Sequence, residues 1–124
     1  MSTHLAEKNI APIAGSGLIG RIEQMRKITL RPVPDQGMDV LQKAIDTYGV
    51  DNQTYMLFEE MAELQHAICK YRRGQATTDE IVDELADVLI MMAQAELMYD
   101  CVGRVSPRVN YKLARLAARM GADT

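Results

Sequence analysis

This chain of 124 residues has no tryptophan, one phenylalanine and five tyrosines, so aromatics make up only 5% of it. A β-sandwich core is a poor fit to that composition, and nine methionines with frequent alanine favour packed helices. Cys69 and Cys101 form no disulfide framework and lack metal-ligand spacing, which makes a reducing cytoplasm the expected location. No run reaches the length of a membrane span, and no signal peptide is visible. Internal repeats and low-complexity tracts are also missing. The formal net charge of −3 argues against a protein that coats nucleic acid. No serine or cysteine stands with a histidine and an acid in a recognisable nucleophilic arrangement. What remains is 48% hydrophobic and 25% charged, enough for one folded domain with a modest core.

The small net charge hides a concentration of acid, because 8 of the 17 Asp and Glu residues fall between Glu59 and Asp87. Within that stretch Glu60-x-x-Glu63 is followed, after twenty residues, by Glu84-x-x-Asp87. An i,i+3 pair puts two carboxylates on one side of a helix, a turn apart. Two such pairs on antiparallel helices can bring four negative oxygen ligands together. Like charges that close cost several kcal/mol unless a cation lies between them. Oxygen-only ligands suit a hard divalent ion, Mg²⁺ first and Mn²⁺ as the alternative.

Punctuation along the chain predicts an all-α fold of four helices behind an irregular arm. The arm covers residues 1–37, with Pro12, Pro32 and Pro34 and a short helix near Leu18–Lys27. The helical domain covers residues 38–121. Val40, Leu41, Ala44, Ile45 and Tyr48 recur at helical spacing and stop at Gly49. A second helix starts at Asp51 as N-cap and runs to Arg73 before Gly74. The third opens on a capping box, Thr77-x-x-Glu80, and reaches about Asp100. The fourth opens with Ser106 and Pro107 and ends at Gly121. Short connections make neighbouring helices antiparallel.

At about 100° per residue, the apolar stripe of the second helix is Leu57, Met61, Leu64 and Ile68, with Glu60 and Glu63 on one flank. On the third it is Ile81, Leu85, Val88, Leu89 and Met92, with Glu84 and Asp87 on the matching flank. Both pairs are thus expected at the border between core and solvent. Asp83 points away from the core, which removes Glu80-x-x-Asp83 as the second half, while Glu80 remains a candidate for an outer shell. Glu59 projects opposite the core of its own helix. Gln53 and Met56 continue the Glu60/Glu63 stripe, where a ligand at the metals could reach Gln53. On the fourth helix Arg108, Lys112, Arg115 and Arg119 form one basic stripe, fitted to hold phosphate oxygens or to pair with neighbouring acids.

Two further patterns mislead. Gly15-Ser-Gly17-Leu-Ile-Gly20 fits a dinucleotide-binding loop, but Pro12 stands where the preceding strand is required. Glu63-x-x-His66 is half of a di-iron site whose other half has no histidine, so His66 is expected at the surface.

The two acidic motifs resemble those of the MazG-like, all-α nucleoside triphosphate pyrophosphohydrolase superfamily. Phe58-Glu-Glu-Met-Ala-Glu-Leu matches its EExxE motif and Asp83-Glu-Leu-Ala-Asp-Val-Leu-Ile its ExxD motif, over roughly residues 38–120. Asn110, Lys112 and Arg115 look like polar and basic positions on the family's last helix. The resemblance implies a four-helix MazG-like bundle, assembled as a dimer or tetramer, with a nucleotide pocket completed across subunits. It implies hydrolysis of an NTP or dNTP to the monophosphate and pyrophosphate. Glu60, Glu63, Glu84 and Asp87 would bind Mg²⁺, and Gln53, Asn110, Lys112 and Arg115 would bind substrate. Glu59 or Glu63 would accept a proton from the attacking water. The alternatives are a phosphoribosyl-ATP pyrophosphohydrolase, which offers the metals the same pyrophosphate, and a non-catalytic helical interaction module.

Overall fold

The computed structural model describes residue 17 and residues 33–121, and among these it contains four α-helices and no strand. They are α1 (Asp35–Tyr48), α2 (Val50–Arg72), α3 (Thr78–Met98) and α4 (Val105–Arg119). No helix among the described residues is long and apolar enough to cross a membrane. The short helix expected near Leu18–Lys27 lies outside the described residues.

Glycine decides the first corner. Only Gly49 separates α1 from α2, at φ +85°, a backbone conformation that costs an L side chain about 1–2 kcal/mol. Its N–H closes α1 on Ile45 O at 2.8 Å, and its carbonyl receives Gln53 N–H at 3.1 Å to start α2. The second corner uses Gly74 at φ +72°, with Gln75 N–H reaching back to Lys70 O at 2.9 Å in a Schellman-type closure. Asp100 takes the equivalent left-handed position after α3, at φ +51°, while Cys101 N–H bonds Glu96 O.

Three helix starts differ from expectation. α1 begins at Asp35, inside the stretch expected to be irregular, because Pro34 supplies an extended entry and Asp35 puts negative charge on the first turn. α2 begins one residue before Asp51, which sits in the first turn and favours the helix dipole rather than capping it. In α4, Ser106 is already helical. Thr77 does occupy the N-cap of α3 with extended geometry, yet its side chain makes no capping hydrogen bond. Glu80 is drawn elsewhere, pairing with Lys70 at 3.1 Å across the α2–α3 corner.

The residues fall into two compact units, one containing α1, α2 and α3 and the other the residues from Ser106 onward. In the first, α2 and α3 pair along their length and α1 packs against both. Contacts between Gln53 and Gln94, between Thr54 and Tyr99, and between Lys70 and Glu80 fix the pair as antiparallel. Its buried apolar residues are Leu41, Ile45, Ala67, Met91 and Ala93. In the second unit Ala117 is the buried apolar residue of α4.

The inner faces of α2 and α3 are rotated from their expected positions. Met61, Leu85, Leu89 and Met92, assigned to the core by periodicity, are 44%, 44%, 43% and 51% exposed. Ile68 is exposed too. Leu57 and Leu64 on α2 and Ile81 and Val88 on α3 are covered as expected, and beside them the covered residues include Gln53, Glu60 and Ala67 on α2 and Glu84, Met91, Ala93 and Gln94 on α3. The carboxylates Glu60 and Glu84 are half-covered where α2 meets α3, with Glu63 and Asp87 exposed beside them.

Candidate metal centre

Three of the four expected ligands converge. Glu60 from α2 and Glu84 and Asp87 from α3 each offer a carboxylate oxygen, and these oxygens lie within 4.8 Å of one another. Antiparallel packing explains the meeting: Glu60 faces the turn of α3 that carries both acids, one helical turn apart. Glu60 and Glu84 are half-buried, whereas Asp87 is exposed at the edge of the group.

Two oxygens carry the electrostatic argument. Glu60 Oε2 and Glu84 Oε2 are shielded from solvent and have no hydrogen-bond partner. A shielded carboxylate oxygen without a donor or cation is unfavourable by the full desolvation of the group. Desolvation accordingly pushes the Glu60 carboxyl above the usual carboxylate range, and the charges of Glu63, Asp87 and Glu84 push it the same way. Glu84 is raised for the same leading reason, with Glu63, Asp87, Asp83 and Glu80 adding to it. The fold thus holds a proton or a cation in demand at one spot. The donor set, oxygen only and anionic, fits a hard divalent ion such as Mg²⁺ and gives a soft metal no thiolate or imidazole.

The other expected residues are placed as follows. Glu63 is exposed and outside the three-oxygen group, although its charge reaches both Glu60 and Glu84. Glu59 is exposed, on the side of α2 away from the seam. Glu80 is engaged by Lys70, and Asp83 is exposed. His66 is at the surface, as its position on the wheel requires. Gln53 is buried, and its Oε1 accepts a 2.7 Å hydrogen bond from Gln94 Nε2. On α4, Asn110 is buried and its Oδ1 has no hydrogen-bond partner. Lys112 and Arg115 are exposed, and the Arg108 and Arg115 guanidinium groups stand 4.8 and 6.0 Å from the centre of the Tyr111 ring.

Gln94 is the residue that sequence reasoning missed. Its signal was available, since a lone amide interrupts Met91-Met-Ala-Gln-Ala at seven residues beyond Asp87. Seven residues is two turns, which returns a side chain to within about 20° of the same direction.

No protein-family model, curated protein or solved structure matches the chain. The functional reading therefore rests on the residues themselves.

Proposed function

We propose that the protein is a Mg²⁺-dependent nucleoside triphosphate pyrophosphohydrolase of the MazG-like, all-α kind, converting an NTP or dNTP to the monophosphate and pyrophosphate. One observation carries the reading: three carboxylate oxygens from two helices stand within 4.8 Å, and two of the side chains have a shielded oxygen with no partner. In this reading Glu60, Glu84 and Asp87 hold the ion, and Glu63, one turn along α2 from Glu60, joins them when substrate is bound.

The chemistry a bound Mg²⁺ supplies is neutralisation of phosphate charge and a lowered pKa for an attacking water. The chain's own side chains do the rest. Glu60 and Glu84 keep the ion at the seam between two packed helices, which sets where a polyphosphate can lie. Glu63 or Glu59, both exposed, would accept the proton lost by water. No covalent enzyme intermediate is needed, in keeping with the missing nucleophile.

Self-association belongs to the same proposal. Leu85, Leu89 and Met92 form a stripe of α3 that neither α1 nor α2 covers, and Met61 and Ile68 extend apolar surface on α2. A second copy is the occupant proposed for that surface.

Pyrophosphate release from a panel of dNTPs, NTPs and phosphoribosyl-ATP, with and without Mg²⁺, tests the reading. Mg²⁺-dependent release from nucleoside triphosphates supports it. Release from phosphoribosyl-ATP alone assigns the rival substrate. No turnover on any of them leaves a helical interaction module.

A further inference from the structure

Resting on the metal reading above, we infer that the buried Gln53–Gln94 amide pair is a register pin that sets the carboxylate cluster, making these two residues positioning residues. Among the described residues Gln94 is the most deeply buried large side chain, 2% exposed, and Gln53 is 8% exposed. Their buried 2.7 Å hydrogen bond crosses from α2 to α3.

Helix register links the amide pair to the carboxylates. From Gln53, seven residues along α2 lead to Glu60, and seven residues back along α3 from Gln94 lead to Asp87. Each step of seven is two helical turns, so both helices advance by about 10.5 Å and return to nearly the same face. The helices run antiparallel, so bringing Gln53 onto Gln94 brings Glu60 onto Asp87 and its neighbour Glu84. A slip of α2 past α3 by one turn displaces Glu60 by about 5.4 Å, more than the whole span of the cluster.

Apolar packing alone would not prevent that slip. Met91, Val88, Leu57, Leu64 and Ala67 are tolerant partners, and methionine in particular fills irregular gaps. A buried amide is not tolerant: out of register it loses its only cross-helix partner and leaves a desolvated polar group. A single buried polar pair specifying helix register at a cost in stability is the best-attested use of such groups. The other interhelical polar contacts are exposed, at Thr54–Tyr99 and Lys70–Glu80, and exposed contacts discriminate weakly.

Calorimetric titration with Mg²⁺ alone, free of any nucleotide, tests the pin without involving substrate contacts. Methionine matches the shape of glutamine, so Gln53→Met/Gln94→Met removes the hydrogen bond and leaves no orphaned amide. That chain is expected to melt at or above the wild-type temperature yet bind Mg²⁺ at least tenfold more weakly. Gln53→Glu keeps an acceptor for Gln94 and is expected to bind within about threefold of wild type. If the double variant does not fold, Gln53→Ala, in the first turn of α2, is expected to lose at least fivefold in Mg²⁺ affinity. Unchanged Mg²⁺ affinity in a folded variant that lacks the hydrogen bond overturns the pin while leaving the metal centre standing. A wild-type chain that takes up no Mg²⁺ overturns the metal reading, and the pin with it.

Discussion

Replacing Glu60 with glutamine should stabilise the metal-free protein and abolish its response to Mg²⁺, two effects of opposite sign from one substitution. Glu60 Oε2 is shielded and without a partner, and the side chain's negative charge lies within 4.8 Å of the Glu84 and Asp87 carboxylates. At that separation each like-charge contact costs between about 0.9 kcal/mol in bulk water and about 3.5 kcal/mol at an effective dielectric of about 20. The two contacts sum to about 1.8 kcal/mol at the lower bound, and because Glu60 is only half-buried and Asp87 exposed, salt screening reduces the gain to about 1 kcal/mol. For a domain of this size that raises the melting temperature by about 3–6 °C. Mg²⁺ at a hundredfold excess over its Kd stabilises the wild type by about 2.7 kcal/mol through mass action, and the variant should lose this. Thermal melts followed by circular dichroism, in chelator and in excess Mg²⁺, read both effects. A variant that melts lower than wild type in chelator, and still gains stability from Mg²⁺, would refute the claim that Glu60 is a strained ligand awaiting a cation.

The raised Glu60 and Glu84 carboxyls also fix a pH dependence. A carboxyl whose pKa is higher folded than unfolded favours the folded state when protonated, and that advantage disappears as pH rises through the folded value. The metal-free protein should therefore melt higher near pH 5 than near pH 7.5, and the stabilisation by Mg²⁺ should be larger at the higher pH. Gly49→Ala should cost about 1 kcal/mol at φ +85°, read as a lower denaturation midpoint; open space around the missing Cβ excludes a steric clash as the cause. Leu89→Glu on the uncovered stripe of α3 should leave the helical content unchanged and shift the sedimentation coefficient toward the monomer; an unchanged assembly would remove that face from the proposed interface.

The helices were legible in the sequence because their periodicity is sustained and glycine punctuates it at positions 49 and 74, where the backbone turns left-handed. Cap positions were less so: Gly49 rather than Asp51 is the N-cap of α2, Ser106 lies inside α4, and Thr77 holds the N-cap of α3 without a capping bond. The larger error was the core face. Leu85, Leu89, Met92, Met61 and Ile68 drew the centre of the wheel toward themselves, since hydrophobicity alone cannot tell which of two apolar faces a neighbouring helix covers. The face that α2 and α3 share sets polar residues, Gln53, Gln94, Glu60 and Glu84, among apolar Leu57, Leu64, Ala67, Val88 and Met91, and the polar ones need specific partners. The acidic motifs themselves were visible as spacing. That Glu60 meets Glu84 and Asp87 while Glu63 stays outside the group followed only from the packing.

The central claim is that Glu60, Glu84 and Asp87 form a centre for a divalent cation. Anomalous diffraction from crystals grown with Mn²⁺ tests it most directly. The account predicts a peak between α2 and α3, within about 2.0–2.3 Å of oxygens from all three carboxylates. Three carboxyl groups turned toward one another with no peak at saturating Mn²⁺ would contradict it.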